Sequence, residues 1–284
     1  MSAISIIARL TFREAIRRRI MLAGLVLGIA FVILYSIGTH FIFEQIAESS
    51  AESMPSQMAA NILNAEATNT FMMMGLYAAT FLSIAMAALL GADTLAGEIN
   101  SGTIQTIATK PIRRADIVLG KWLGFAGLLG LYVLLLSGGI FLSVFIQTGY
   151  TPQNLLSGLG LIYMESILIM TITLMLSSAF PALATGGIVF GLYGLAFIGG
   201  WVEQFGAVLQ NSTAIKVGIV TSLIIPSESL WKRAAFEMQA PLTGTFGSPF
   251  TTTSVPSPLM MGYTLLYLIV VLFIAVRIFQ KRDL

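Results

Sequence analysis

The sequence predicts an all-α polytopic membrane protein with six transmembrane helices, and three observations point there. Of its 284 residues 56% are hydrophobic and 10% charged, with a mean hydropathy of +0.88, whereas a soluble domain carries about a quarter of its residues as charges. Six apolar runs, at 20–43, 71–90, 122–146, 159–180, 182–200 and 259–279, are each near the ~20 residues a helix needs to cross a bilayer core. The third observation is how the charges alternate between those runs. With the N-terminus inside, the inner segments hold Arg9, Arg13, Arg17, Arg18, Arg19, Lys110, Arg113, Arg114, Lys121, Arg277, Lys281 and Arg282, and the outer segments only Lys216, Lys232 and Arg233. Positive charge gathers on the cytoplasmic side of membrane proteins, so both termini are expected in the cytoplasm.

Each element follows in order along one domain, 1–284. Residues 1–19 place Ile4, Ile7, Leu10 or Thr11, and Ala15 on one side of a helical period with arginines largely elsewhere, which predicts an amphipathic helix on the inner surface. The first span is too long for a signal-peptide core and lacks a small-residue cleavage site, so no cleaved leader is expected. The loop after it holds Glu44, Glu48, Glu52 and Glu66 and no basic residue. The fourth and fifth runs abut at "SSAFPALATGG". Their combined length is too great for one span, so a turn at Pro181 is expected, with a broken or re-entrant pair as the other possibility. Residues 201–258 form an extracytoplasmic loop whose apolar front half suits an interfacial or re-entrant helix and whose Pro/Gly/Thr-rich back half suits a loop.

Several functions are excluded or left without support. The chain has no cysteine and one histidine, His40, so neither a thiolate site nor a histidine cluster is expected. It contains no GxxxxGK[ST] phosphate loop, no GxGxxG and no HExxH, and no soluble region large enough for a typical nucleotide-binding domain. No cofactor is expected on this chain. Membrane lipids, and not nucleic acid, are the expected surface partners.

The inner loop 91–121 is the most informative polar stretch. In "GTIQTIA", Ile104 and Ile107 stand at helical spacing, Thr103 can cap the helix and Pro111 ends it. A short helix with an apolar edge must bury that edge against headgroups, against the chain's own helices, or against a docked cytoplasmic subunit. Glu98 can pair with Arg113, Arg114 or an N-terminal arginine, or accept backbone N–H groups from the turn at 101–103. Either arrangement clamps how the short helix leaves the membrane.

"DTLAGEINSGTIQTIATKPIRRADIVLGKWLG", residues 93–124, resembles the signature region of ABC-2 type transporter permeases, in particular the branch described as involved in multi-copper enzyme maturation. The match lies at Glu98, Gly102, Thr103, Pro111, Arg114, Gly120 and Lys121, and "ARLTFREAIRRR" also resembles the family's N-terminal helix. The resemblance implies a multi-pass permease of the cell inner membrane that pairs with a second permease copy and two cytoplasmic ATP-binding subunits. It implies that those subunits bind ATP and Mg, that residues 102–109 form a coupling helix seated in the ATPase, and that transport is export.

Within the spans, Glu165 is the candidate for substrate or pathway contact, because an acid at membrane depth is costly to keep. Its place near the outer end of the fourth span equally suits snorkelling or helix pairing. Thr171, Thr173, Ser177 and Ser178 can bond to their own preceding turns. Gly24 with Gly28, Gly120 with Gly124, and Gly187 with Gly191 suit close helix crossings. Met72, Met73 and Met74 run consecutively and do not form a one-sided ladder for copper. The alternatives to a permease are a membrane anchor that recruits an ATPase without transport, and an intramembrane enzyme, for which His40 and Glu165 lack an evident partner.

Overall fold

The computed structural model describes residues 2–53, 57–100, 113–239 and 254–281. The described elements are helices: α1 (Ala3–Arg17), α2 (Arg19–Ser53), α3 (Gln57–Ala92), α4 (Thr94–Asn100), α5 (Arg114–Thr148), α6 (Leu155–Ser177), α7 (Ala182–Val208), α8 (Ser212–Ile224), α9 (Ser227–Met238) and α10 (Pro258–Lys281). Six of them are long and apolar enough to cross a membrane: α2, α3, α5, α6, α7 and α10. This is a multi-pass membrane protein. The helices outrun the apolar runs of the sequence; α7 reaches Val208 and not residue 200. Backbone hydrogen bonding propagates a helix through polar residues once it is nucleated, so hydropathy marks the lipid-facing part and understates the helix.

Local sequence sets the breaks. Ser2 caps α1, its hydroxyl accepting from the Ser5 N–H at 3.4 Å, and Arg18 takes an extended conformation before α2 starts. Gly149 ends α5 at φ +67°, a left-handed turn that only glycine takes without steric cost. The turn expected at Pro181 lies between α6 and α7, both of full spanning length. Asn211 of the "NST" stretch caps α8, its Oδ1 accepting from the N–H groups of Thr213 and Ala214 at 3.0 and 3.2 Å.

The connections fix which helix ends lie together. Arg18, before α2, is 3.8 Å from Asp93, after α3. Arg114, opening α5, donates to the carbonyl of Gln280 near the end of α10. Ser177, closing α6, accepts from the N–H groups of Leu95 and Ala96 in α4. These ends form the basic end of the bundle.

At the opposite end α8 and α9 bend by 110° at Ile225 and Pro226. The pair begins where α7 stops, and its far end returns to the same level. Glu237 accepts from the Asn154 amide at 3.1 Å, just before α6, and the Met238 carbonyl accepts from Asn69 at 3.0 Å. The pair therefore enters and leaves at one end of the bundle, a course that fits a re-entrant hairpin. α3 and α6 form the centre, with 61% of their most apolar windows buried, while α2 and α10 have only 11% and 17% buried and present bare apolar faces.

Candidate functional site

Two regions carry the polar side chains on which function can rest. The first is the basic end, where helices are tied to one another by short contacts. α1 packs across α5 because Gly120 and Gly124 leave room: a Cβ on Gly120 would sit 2.7 Å from Ile7, and one on Gly124 would sit 2.7 Å from the Ala8 carbonyl. On α1 the buried side chains are Thr11 and Ala15, while Leu10 is exposed; Thr11 is thus the residue on the packed face. α4 is held to α6 by Ser177, whose hydroxyl accepts from Leu95 and Ala96 and donates to the Ala92 carbonyl at 2.9 Å. Trp122 of α5 donates to Thr171 of α6 at 2.8 Å. Thr171 and Thr173 also bond back to the Ile167 and Ile169 carbonyls, each at 2.7 Å.

The residues expected to couple to a partner sit at this end. Gly102, Thr103, Ile104, Ile107 and Pro111 lie outside the described residues. Glu98 falls in α4, where only its backbone is described. Arg113 is the extended residue before α5, and Arg114 donates to Gln280 at 3.1 Å. An acid at this corner that sequence reading passed over is Asp93. It reaches Arg18, and Gly97 makes space for it, since a Cβ there would lie 2.5 Å from Asp93 Oδ1.

The second region lies beneath the re-entrant hairpin. Glu165 is the eleventh residue of α6, about 15 Å along the helix from its start at 1.5 Å per residue, and it is 1% exposed. Both its oxygens are sealed from solvent at this depth, beside Tyr77 of α3, Tyr193 of α7 and Glu228 of α9. Glu228, at the tip of the hairpin, is 4% exposed and accepts a hydrogen bond from the Tyr77 hydroxyl at 3.2 Å. Trp201 donates in turn to Tyr77 at 3.0 Å. Lys232, one turn beyond Glu228, meets Glu203 of α7 at 2.8 Å, and Ser254 donates to the other oxygen of Glu203 at 2.6 Å.

Close packing holds the hairpin on α7. A Cβ on Gly200 would lie 2.1 Å from Cγ of Glu228, and one on Gly218 would lie 2.3 Å from Cβ of Glu203. The Tyr77 ring lies 4.7 Å from that of Trp231, within the range where aromatic pairs add to simple burial. Glu203, Glu228 and Lys232 did not emerge from the sequence as site residues. A usable signal was present in the i, i+4 spacing of Glu228 and Lys232 directly after an apolar run and Pro226.

Along its length the chain matches the family described as ABC-2 family transporter protein, over residues 5–284. The chain belongs to that family. No curated protein matches it. The match is to the ABC-2 family as a whole and does not single out the copper-maturation branch.

Other features of this ABC-2 protein can be placed on that frame. Among the described residues no three His, Asp or Glu side chains are placed to hold a metal ion, and Met72 and Met73 are buried in the core while Met74 turns outward. Gly24 faces Met86 and Gly28 faces Tyr132 and Leu136, whereas Gly187 and Gly191 have nothing within 4 Å. A cleft of about 570 Å³ opens at the hairpin end, lined among others by His40, Glu44, Asn61, Asn64, Thr68 and Tyr150. Burial raises the Tyr150 phenol above its usual range, so it stays a neutral hydroxyl there, accepting from Asn69 at 2.9 Å.

Proposed function

We propose that this chain is the membrane-spanning permease subunit of an ATP-driven exporter of the cell inner membrane, with both termini in the cytoplasm. It works beside a second permease copy and two copies of a separate cytoplasmic ATP-binding subunit, which supplies ATP and Mg. Family membership over nearly the whole chain supports this reading, as does a sequence without a phosphate-binding loop. The observation that carries it is the knot at the basic end. In sequence, residues 101–112 join two anchored helices, α4 bonded to α6 through Ser177 and α5 packed on α1 and bonded to α10 through Arg114.

A force applied to residues 102–109 as a coupling helix then reaches α1, α6 and α10 together. The spans move as rigid bodies, because a helix in lipid cannot cheaply expose its backbone. Ile104 and Ile107 present the apolar edge that seats in the ATPase; Thr103 and Pro111 bound the helix, and Gly102 allows the turn before it. Glu98, Arg113 and Arg114 hold its two flanks. The branch resemblance rests on residues 93–124, and the exported substrate is left open.

The chain's lack of cysteine makes the test clean. Ile104→Cys and Ile107→Cys variants, treated in native membranes with a thiol-to-amine crosslinker, are expected to capture a soluble ATPase, and a control with cysteine at the exposed Leu156 is not. Capture of no cytoplasmic protein at either position would contradict the reading.

A further inference from the structure

We propose that the buried carboxylates beneath the re-entrant hairpin form a proton-binding site, with Glu165 as the group that carries the proton. Charge balance is the starting observation. Glu165, Glu203 and Glu228 are 1%, 6% and 4% exposed, and the basic side chain buried with them is Lys232. Lys232 lies 2.8 Å from Glu203, and Glu228 has the Tyr77 hydroxyl together with the field of Lys232. Glu165 has neither: among the described residues both its oxygens are buried without a hydrogen-bond partner, and the charge that acts on it is that of Glu228, of its own sign.

Among the described residues no further cation balances it. The charges and hydroxyls that act on Glu165 are those of Tyr77 from α3, Tyr193 from α7 and Glu228 from α9, with Glu203 of α7 and Lys232 of α9 behind Glu228. Beyond Lys121 α5 has no charged residue, and α10 has none before Arg277. Of the remaining basic residues at this end, Lys216 is exposed on α8, Arg233 is bonded to Glu237 at 2.6 Å, and His40 is exposed, 3.5 Å from Glu44. The stretch 240–253 contains no lysine, arginine or histidine.

An unpaired carboxylate sealed from water is strongly disfavoured unless a cation joins it. A metal ion needs several converging oxygens, and among the described residues no three carboxylate or imidazole groups are placed to supply them. A proton needs a single carboxylate oxygen. Because Glu228 sits at the hairpin tip and Gly200 seats it, withdrawal of α8 and α9 would open Glu165 to water, so movement of the hairpin is linked to proton release.

Infrared spectroscopy of the full chain in lipid nanodiscs at neutral pH tests the site. A carboxylic-acid carbonyl band is expected, lost in Glu165→Gln, kept in the exposed-site control Glu44→Gln, and the same in sodium, potassium or choline chloride. Absence of the band from the unaltered protein, its survival in Glu165→Gln, or its appearance only when sodium is withdrawn would overturn the proposal. Should Glu165→Gln not assemble, Glu228→Gln decides: a shifted band supports the site and an unmoved one refutes it. The measurement needs no ATPase, so its failure leaves the permease reading standing.

Discussion

At the basic end Arg18 meets Glu14 at 2.7 Å and Asp93 at 3.8 Å, with the three side chains between 28% and 58% exposed. At the hairpin end Lys232 meets Glu203 at 2.8 Å with 5% and 8% exposed. Solvent screens the first set, and such pairs contribute about 0–1 kcal/mol. Burial changes the second, where losing one partner strands a charge in a medium that cannot solvate it, at about 3–5 kcal/mol. The difference teaches that charge at the basic end arranges helix ends and can be traded residue for residue. Charge under the hairpin is tolerated only in combination, which is how ionisable groups with a task inside membranes are generally found.

The comparison breaks most visibly at Lys232. Lys232→Met is expected to lower stability by about 3–5 kcal/mol, read as a fall in the midpoint of SDS unfolding, and Glu203→Gln in the same chain should restore much of it. A destabilisation no larger than that of a surface variant would put the pair in water. The next effect is steric. Gly200→Ala forces a methyl group towards Glu228 and should destabilise by about 1–3 kcal/mol, whereas Gly187→Ala, into open space, should stay within about 0.5 kcal/mol by the same unfolding assay.

Of similar size is Ser177→Ala, which removes the hydroxyl shared by Leu95 and Ala96 and should cost about 1–3 kcal/mol for the stranded buried groups. Because that hydroxyl ties α4 to α6, the variant should also weaken substrate-stimulated ATP hydrolysis in the assembled complex more than its stability loss explains. Asp93→Asn closes the series at under about 1 kcal/mol, and a double-mutant cycle with Arg18→Gln should show little coupling. Strong coupling there would erase the contrast between the two ends.

Legibility in the sequence follows the same division. The six spans and the turn at Pro181 could be read because lipid demands long apolar helices and proline ends them. The length of α2 could not, since it continues through Glu44, Gln45 and Glu48 to Ser53, where hydropathy is silent. Gly120 and Gly124 were legible as a crossing, but not that α1 fills it; spacing identifies a smooth face and leaves its occupant unnamed. Glu165 stood out as an acid in an apolar run, yet its depth depended on a hairpin folding over it. Glu228 and Lys232 stayed hidden because "PSESLWKRAAF" belongs to the apolar front half of 201–258, where charges equally suit the surface side of an interfacial helix, and only the 110° bend carries them inward. At the basic end, Asp93 was overlooked because Glu98 sat in the recognisable pattern five residues on.

The central claim is that this chain is driven by a separate ATPase through its basic end. The most direct measurement is the mass of the intact assembly after tagging the chain and extracting it gently from its native membrane. The account predicts two permease copies with two copies of a soluble ATPase. A permease that comes out alone, and that also yields no crosslink to a cytoplasmic protein at positions 104 and 107, would contradict it.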